Sequence, residues 1–282
     1  MGVALGAGSG VSHKVYEKPL EKASPKTQQN MPFWMPQFDV LKIGLQVVSA
    51  NRELLVTVRE AVGMGNRQGE SYESFRVDVE QSHRVSEVTI AYYDRMAEAY
   101  WDGTRDHDVS QNYTAFLDAI ENDPPYSILD LGCGPGRDLH HFRLLGHNAV
   151  GLDGSTEFVA MARSYSGCEV LHQDFLTMIL PESRFDGVFA NASLFHVPSR
   201  ELPRVLLELF ETLRPRGVLF CSNPRGNNEE GFGDGRYSCF FDLDTWRNYV
   251  RAAGFFEMGH YYRPPGLPRH QQPWLATVWR KG

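Results

Sequence analysis

Four features are missing from this sequence, and each absence excludes a class of protein. No apolar run approaches the roughly 20 residues that a membrane-spanning helix needs, and the first residues lack the positive-then-apolar order of a signal peptide. Gly6 also stands where a myristoylation signal has Ser or Thr. With 28 basic and 35 acidic residues, the chain has no excess of positive charge with which to bind phosphates by counterion release. We therefore expect a soluble, cytoplasmic protein that binds neither nucleic acid nor a membrane.

Cysteine is also scarce, and its spacing argues against a metal site. Cys133, Cys168, Cys221 and Cys239 form no Cys-x-x-Cys pair, and no histidine cluster has the spacing of metal ligands. The one adjacent histidine pair, at positions 140 and 141, would point to different sides of a helix. We predict reduced thiols and no bound metal.

Composition and periodicity divide the 282 residues into three parts. Residues 1–30 are rich in Gly, Ala, Ser, Lys and Gln without an apolar pattern, which predicts a disordered tail. Residues 31–85 are predicted to form a partly helical N-terminal extension, because apolar residues from Leu45 to Val62 recur on one helical face. A dimerisation element, a lid and the remnant of a linker all remain open for this extension. A catalytic domain is expected over residues 86–282, beginning with a second helical segment.

From Tyr126 onward, short apolar runs alternate with amphipathic runs, which is typical of a parallel sheet covered by helices. The predicted strands are residues 127–131, 149–152, 169–171, 185–190, 218–221, 256–262 and 274–279. The last two are joined by a Pro-rich connection that is too short for a helical crossover, so they should form an antiparallel hairpin. The predicted fold is α/β, with a Rossmann-like seven-stranded sheet, a terminal antiparallel hairpin and a helical N-terminal extension.

Four amphipathic helices are predicted to cover this sheet. Their apolar faces are Leu139, Phe142 and Leu145; Phe158 and Met161; Leu202, Val205, Leu206, Leu209 and Leu213; and Leu243, Trp246, Val250 and Ala253. Ser155 is the expected N-cap of the second helix, and either Asp242 or Asp244 that of the fourth.

The most informative stretch is the glycine-rich turn that follows the first predicted strand. Gly132, Gly134 and Gly136 let the backbone approach a ligand closely, and the helix that follows presents free N–H groups. A dinucleotide site would have Gly-x-Gly-x-x-Gly, which this turn lacks. Asp130, just before the turn, would repel a diphosphate but suits a cationic amino acid. S-adenosylmethionine is such a ligand, and a nicotinamide dinucleotide is the less favoured alternative.

Acidic residues after the next two strands complete the pattern. Asp153 would accept from the ribose hydroxyls, Asp174 would accept from the adenine amine, and Phe175 would lie against the purine. Together with the turn, this pattern resembles class I S-adenosylmethionine-dependent methyltransferases, and the resemblance covers about residues 86–281. The cofactor site expected on this resemblance comprises Tyr100, Thr104, Gln111, Asp130, Gly132, Cys133, Gly134, Asp153, Gly154, Ser155, Asp174, Phe175 and Asn191.

Three further segments narrow the expected substrate. Residues 100–112, 221–231 and 261–274 together resemble the C-terminal methyltransferase domain of the bifunctional enzymes of ovothiol biosynthesis. That resemblance implies methylation of an imidazole nitrogen of 5-thiohistidine (4-mercaptohistidine). Residues 1–85 are too short to hold the iron-dependent sulfoxide synthase of those enzymes, so we expect a stand-alone methyltransferase.

The chemistry of methyl transfer suggests which side chains act on such a substrate. Attack by a neutral imidazole uses a ring lone pair, so the enzyme must select tautomer and orientation more than it must supply a strong base. The candidates for accepting the other ring N–H are Tyr93, His107, Asn191, His196 and Asn223. For the substrate carboxylate the candidates are Arg225 and Arg263, with Tyr262 beside them, and for the amine Asp106 and Asp108.

Alternative interpretations remain open for several of these residues. Tyr93 could instead cover the cofactor, His196 could be a core histidine, and Arg225 and Arg263 could be surface charges. The run 227–235 could be a solvated loop or a lid over the substrate. For the whole chain, the alternatives are methylation of another small molecule at oxygen or carbon, and a non-catalytic scaffold that binds the same cofactor.

Overall fold

A computed structural model describes residues 72–282, with side chains described from residue 81 onward. The predicted tail 1–30 and residues 31–71 of the predicted extension 31–85 lie outside the described residues. The helices are α1 Tyr72–Thr104, α2 Ser110–Leu117, α3 Arg137–Leu144, α4 Thr156–Ser166, α5 Leu202–Thr212 and α6 Leu243–Ala252. The strands are β1 Ser127–Leu131, β2 Asn148–Asp153, β3 Glu169–His172, β4 Phe185–Asn191, β5 Leu213–Pro224, β6 Glu229–Gly233, β7 Arg236–Phe240, β8 Phe255–Arg263 and β9 Trp274–Lys281.

Seven of the strands form one twisted sheet in the order β3-β2-β1-β4-β5-β9-β8. The first five are parallel, whereas β9 runs antiparallel to both β5 and β8. Strands β1 and β4 are neighbours at the centre of the sheet, and the chain adds strands on one side of β1 and on the other side of β4. Open α/β sheets bind ligands at the carboxyl ends of two such strands. The predicted seven-stranded sheet and its terminal antiparallel hairpin are confirmed.

Helices cover both faces of this sheet and bury two apolar cores. Neighbouring residues of β1 belong to opposite cores, Ile128 to one and Leu129 to the other, as expected for side chains that alternate along a strand. The predicted face of α5 is buried, with Leu206 and Leu209 fully inaccessible. Leu145 was predicted to be on the buried face of α3 but is 52% exposed, because α3 ends at Leu144 and Leu145 is only its C-cap.

The helix N-termini follow the capping prediction. The Ser155 Oγ accepts a hydrogen bond from the Phe158 N–H at 3.1 Å and so caps α4. Of the two candidates for α6, Asp242 is the cap, because its Oδ1 accepts from the Thr245 N–H at 2.8 Å. Each cap satisfies one of the backbone donors that a helix start leaves unpaired.

Two elements differ from the prediction. Helix α1 begins at Tyr72, before the predicted start at Ser86. The run 227–235, expected to be a loop or lid, contributes to a two-stranded hairpin, β6–β7, in which Gly233 pairs with Arg236. Asp234 and Gly235 form its turn with φ of +50° and +82°. Asp-Gly is a strong two-residue hairpin signal, so the sequence did carry this information.

Within the described part of the chain, no helix combines the length and apolar character needed to cross a bilayer. The same residues contain no group of three or more His, Cys, Asp or Glu side chains placed to hold a metal ion. All four cysteines are free thiols.

Candidate active site at the carboxyl edge of the sheet

A cavity of about 680 Å³ lies at the carboxyl ends of the central strands, beneath α1. It is lined by Ser86, Thr89, Ile90, Tyr93, Tyr100, Gly132, Gly134, Asp153, Gly154, Ser155, Phe158, Asp174, Phe175, Leu176, Ala192, Ser193, His196 and Val197. None of these lining side chains is Lys or Arg, so the polar surface of the cavity is acidic or neutral.

The glycine turn after β1 forms the floor of the cavity. Gly132 has φ of +69°, and a Cβ placed there would lie 2.4 Å from the Cβ of Ser193, so no other residue fits. Gly134 has φ of +52°, but a Cβ there would meet only Tyr100, at 3.8 Å. The space above Gly134 is therefore open, and a side chain at this position would fill room that a ligand can use.

Asp153, at the end of β2, presents a buried carboxylate to the cavity. Its Oδ2 accepts from the Gly134 N–H and its Oδ1 from the Ser155 N–H, each at 2.9 Å. Burial raises the pKa of Asp153 to about 6, although these backbone N–H groups oppose the rise. Each carboxylate oxygen has two lone pairs, so Asp153 can accept two further hydrogen bonds from a ligand.

The loop after β3 forms one end of the cavity. The Asp174 Oδ1 accepts from the Leu176 N–H at 2.9 Å, which fixes the loop, and Phe175 lies beside it in the cavity wall. The ring of Phe175 also comes within 3.1 Å of the position that a Cβ on Gly132 would take. Asp174 lies close to the end of β2, because its Cα is 3.8 Å from the position that a Cβ on Gly154 would take.

Asp130 lies beneath the turn, outside the cavity wall. It is 2% exposed, and its Oδ2 has no hydrogen-bond partner among the described residues. Burial, with Asp138 close by, raises the pKa of Asp130 well above its usual range. An unpaired buried acceptor is costly, so this atom marks a position where a donor from a ligand would be stabilising.

Tyr93 and His196 form a hydrogen-bonded pair in the cavity wall. The Tyr93 Oη lies 2.7 Å from His196 Nε2, and His196 Nδ1 lies 2.6 Å from the backbone oxygen of Tyr237. Burial lowers the pKa of His196 to about 3, so the imidazole is neutral at physiological pH. Tyr93 also packs against Tyr100 and Phe158, with ring centroids 5.6 and 5.5 Å away.

Next to the cavity, a polar network surrounds the carboxylate of Asp138. It accepts from Tyr113 Oη at 2.6 Å, from Arg137 Nε at 2.6 Å and from Asn191 Nδ2 at 2.9 Å. Asn191 accepts in turn from the Asn112 Nδ2 at 3.0 Å. The Asn191 side chain is therefore held by two partners at the end of β4, and it does not line the cavity.

Three other predicted cofactor residues also lie outside the cavity wall. Thr104 donates from its Oγ1 to the backbone of Tyr100 at 2.7 Å and accepts from Arg137 through its own carbonyl oxygen. Cys133 is buried, and its Sγ contacts the carbonyl of Gly134. The Gln111 Oε1 is buried without a hydrogen-bond partner among the described residues.

The predicted substrate residues cluster at a second location, around the α1–α2 loop and the end of β8. The Arg263 Nη2 donates to the backbone oxygen of Asp108 at 2.6 Å. The Nε of the same guanidinium is buried and has no hydrogen-bond partner among the described residues. The Asp108 Oδ1 accepts from the Ser110 N–H at 2.9 Å. His107 is exposed to solvent. Its pKa is lowered by partial desolvation of the ring and by the positive charges of Arg137 and Arg263. The carboxylate of Asp106 is 91% exposed.

The remaining predicted substrate residues lie elsewhere. Arg225 donates from Nε to the backbone oxygen of Gln272 at 2.8 Å and from Nη2 to that of Arg269 at 2.6 Å, so both ends of its guanidinium are engaged. Tyr262 lies beneath the guanidinium of Arg269. Asn223 lines a separate, smaller cavity of about 270 Å³.

Sequence reasoning missed one whole wall of the main cavity. Ser86, Thr89 and Ile90 lie on α1 in line with Tyr93 and Tyr100. Their spacings of seven, four and three residues from Tyr93 are those of one helical face, which is a signal the sequence contains. Phe158 on α4 was also missed, as were Leu176, Ala192, Ser193 and Val197, which enter the wall only through the tertiary fold.

Comparison with known proteins finds methyltransferases among the similar sequences. Residues 128–217, which include β1, β4 and the glycine turn, match the family of methyltransferase domains. The chain is 34% identical over 131 residues to a sterol 24-C-methyltransferase of Yarrowia lipolytica, covering 43% of this chain and 32% of that protein. It is 36% identical over 100 residues to a trans-aconitate 2-methyltransferase of Escherichia coli, covering 34% and 38%. An uncharacterized 37.1 kDa protein in transposon TN4556 of Streptomyces fradiae is 31% identical over 183 residues, covering 62% and 47%.

Among solved structures, a Burkholderia thailandensis 1,6-didemethyltoxoflavin-N1-methyltransferase with bound S-adenosylhomocysteine has the same fold. The TM-score is 0.58 at 21% identity, covering 71% of this chain and 90% of that one. The chain spans less than half the length of the curated relatives named above. The match of residues 128–217 to methyltransferase domains supports the predicted enzyme class, and the fold is that of S-adenosylmethionine-dependent methyltransferases of known structure. The relatives methylate different acceptors, so the match does not extend to a substrate.

Proposed function

We propose that the protein transfers a methyl group from S-adenosylmethionine to an imidazole nitrogen of 5-thiohistidine, as in ovothiol biosynthesis. The observation that carries the methyl-transfer part is the buried carboxylate of Asp153 beside the open space above Gly134. S-adenosylmethionine carries ribose hydroxyls and must lie close to the backbone of the glycine turn, so it needs an acceptor such as Asp153 beside that open space.

The residues present fit the cofactor. Asp153 retains two acceptor sites for the ribose hydroxyls, Phe175 offers a ring face for the purine, and Asp174 an acceptor for its amine. Asp130 lies beneath the turn and not in the cavity wall, so its unpaired Oδ2 would accept from the ammonium group only if the methionine part reaches past the glycines. When bound, S-adenosylmethionine supplies an electrophilic methyl group on a sulfonium. The protein's contribution is to align the nucleophile with that methyl group and to exclude water.

The three segments that resemble ovothiol enzymes support the finer part of the proposal, because they contact one another. Tyr261 Oη donates to the backbone oxygen of Gln111 at 3.3 Å, and Arg263 binds the backbone of Asp108. Arg225 binds the backbone of Gln272. Tyr100, the first residue of the first segment, lines the main cavity, so these contacts connect all three segments to the cavity wall.

Arg263 is the better of the two candidates for binding the substrate carboxylate. Its Nε is a buried donor without a partner, whereas Arg225 already donates to two carbonyl oxygens. Asp108, whose carbonyl holds Arg263, carries a carboxylate on the same loop that could receive the substrate amine. A zwitterionic amino acid would satisfy both groups.

A second candidate function is methylation of an uncharged small molecule; the 1,6-didemethyltoxoflavin-N1-methyltransferase named above is a structural neighbour with a small molecule bound. The absence of Lys and Arg from the cavity wall favours it, because an uncharged acceptor held inside the cavity needs no cationic partner.

The experiment has two parts. Calorimetric titration of the purified protein with S-adenosylhomocysteine tests the cofactor site, and an absence of binding would favour a non-catalytic scaffold. Incubation with S-adenosylmethionine and either 5-thiohistidine or histidine, followed by mass spectrometry, tests the acceptor. We expect methylated thiohistidine that decreases in Arg263→Gln. Cofactor binding without methylated thiohistidine at any enzyme concentration would refute the thiohistidine assignment and leave the second candidate.

A further inference from the structure

Two hydrogen bonds in series fix the orientation of the Tyr93 hydroxyl in the cavity wall. His196 Nδ1 faces the backbone oxygen of Tyr237 at 2.6 Å, and a carbonyl oxygen can only accept. The proton of the neutral imidazole therefore sits on Nδ1, and Nε2 must accept from the Tyr93 Oη at 2.7 Å. Tyr93 donates its one hydroxyl proton to His196 and has none left to donate to a ligand in the cavity.

The surroundings keep His196 neutral. Burial lowers its pKa to about 3, and the positive charge of Arg236 acts in the same direction. The groups that face Tyr93 are Arg236, Tyr92, Tyr100 and Asp153. Burial raises the pKa of the phenol, the two tyrosines and Asp153 add to the rise, and the positive charge of Arg236 opposes it. Because neither member of the pair changes its charge near neutral pH, the pair orients a hydrogen bond and does not carry a proton away.

The hairpin β6–β7 holds the carbonyl of Tyr237 in place. The Tyr237 N–H donates to Thr89 Oγ1 at 3.0 Å, and its Oη donates to Glu230 Oε2 at 2.6 Å. Thr89 Oγ1 donates in turn to the backbone oxygen of Val85 at 2.9 Å. Both backbone polar groups of Tyr237 thus bind residues of the cavity wall, and neither can turn away without breaking a buried hydrogen bond.

The oxygen of Tyr93 consequently offers only lone pairs to the cavity. Its one hydrogen bond among the described residues is the one to His196, and Tyr93 lines the cavity directly. A hydroxyl that is free to rotate could donate or accept, but this one can only accept.

We infer that Tyr93 Oη is a fixed hydrogen-bond acceptor for the methyl acceptor, which must then carry an N–H or O–H group near its nucleophilic atom. This inference rests on the proposed methyl transfer and specifies its substrate class. A neutral imidazole meets the condition, since its N–H can face Tyr93 while the other nitrogen attacks. His196 is then a positioning residue, and Tyr93 touches the substrate.

The arrangement favours the transition state over the bound substrate. As the nitrogen–methyl bond forms and the sulfur–methyl bond breaks, the sulfonium becomes a neutral thioether and the ring gains positive charge. The ring N–H becomes more acidic, so its hydrogen bond to Tyr93 strengthens during the reaction. The proton stays on the methylated ring and is lost to water after release, which balances the reaction without a base in the protein.

The first test uses the ligand-free protein and is independent of methyl transfer. Nitrogen-15 NMR of histidine-labelled protein should show His196 as the neutral Nδ1–H tautomer at pH 7. A Nε2–H tautomer or a protonated ring would overturn the inference, whether or not the protein is a methyltransferase.

The second test locates the acceptor. Imidazole and 1-methylimidazole, which lacks an N–H, are titrated into protein saturated with S-adenosylhomocysteine. Tyr93→Phe should weaken imidazole about fivefold, as expected for one lost hydrogen bond, and leave 1-methylimidazole unchanged. His196→Leu, which frees the hydroxyl to rotate, should reduce the same selectivity, and His196→Gln should restore part of it. Tyr165→Phe, at a ring that is 46% exposed, is the matched control.

Two results of the second test would overturn the inference. Equal weakening of both probes in Tyr93→Phe would show a packing role for the ring. A loss of S-adenosylhomocysteine affinity in Tyr93→Phe would show that the oxygen faces the cofactor. A failure of the proposed function itself would instead appear as no S-adenosylhomocysteine binding by the wild-type protein.

Discussion

The buried carboxyl of Asp153 should make cofactor binding depend on pH. Burial raises its pKa to about 6 in the ligand-free protein, and its remaining lone pairs are the proposed acceptors for two ribose hydroxyls. The protonated form has one donor and loses one acceptor, so it binds the ribose less well. Affinity for S-adenosylhomocysteine should therefore rise with pH from about 5 to 7 and level off above that.

The size of the effect follows from the pKa. At pH 5, one unit below a pKa of about 6, roughly one tenth of the molecules carry the carboxylate, so binding should be about tenfold weaker than at pH 8. This equals about 1.4 kcal/mol. Asp94, Asp130 and Asp138 are also near the site, so the informative quantity is the difference between wild type and Asp153→Asn.

At pH 8, Asp153→Asn should bind S-adenosylhomocysteine more weakly than wild type. Its side-chain amide must place an N–H donor against the N–H of Gly134 or of Ser155. The expected loss is about 1–3 kcal/mol. Calorimetry at pH 5, 6, 7 and 8 measures both effects, with Asp102→Asn, an exposed acid on α1, as the matched control. The reasoning would be refuted by equal wild-type affinity at pH 5 and 8, or by the same pH dependence in wild type and Asp153→Asn.

Three further predictions follow from local geometry. Gly132→Ala places a Cβ 2.4 Å from the Cβ of Ser193 at a residue with positive φ, so the turn should distort and S-adenosylhomocysteine binding should be lost. Circular dichroism should still report a folded protein, and wild-type affinity would contradict the prediction. Arg225→Ala removes two hydrogen bonds to backbone oxygens, so it should lower the free energy of unfolding by about 1 kcal/mol and the Tm by about 2–4 °C. Substrate affinity should stay unchanged; weaker substrate binding at the wild-type Tm would show that Arg225 is a substrate ligand. Leu209→Ala in the core should cost about 2–5 kcal/mol in denaturant unfolding, against almost nothing for the exposed Leu144→Ala; equal effects would mean that the core assignment is wrong.

Much of the fold could be predicted because local sequence patterns agree with the tertiary packing. The predicted strand 127–131 is β1, and the Ser155 cap starts α4, since an apolar run and a capping side chain act through neighbouring residues. The hairpin β6–β7 was missed although Asp234-Gly235 signals it, because the glycines and acids around the turn were interpreted as a loop.

The candidate site was predictable in part, for a similar reason. Asp153, Asp174 and the glycine turn follow predicted strands directly, so strand order alone brings them to one edge of the sheet. Arg225 could not be assigned from sequence, because its partners are carbonyl oxygens more than forty residues away.

The sequence by itself determined the parallel sheet, its antiparallel end and the acids around a glycine turn, because periodicity and turn chemistry are local properties. Only the tertiary structure decided that Tyr93 and His196 meet and that a backbone carbonyl of Tyr237 sets the direction of their hydrogen bond. These groups are 103 and 41 residues apart in sequence, and no local preference encodes a contact between them. The packing of α1 and the β6–β7 hairpin against the carboxyl edge of the sheet creates it, by satisfying buried polar groups that would otherwise be unpaired.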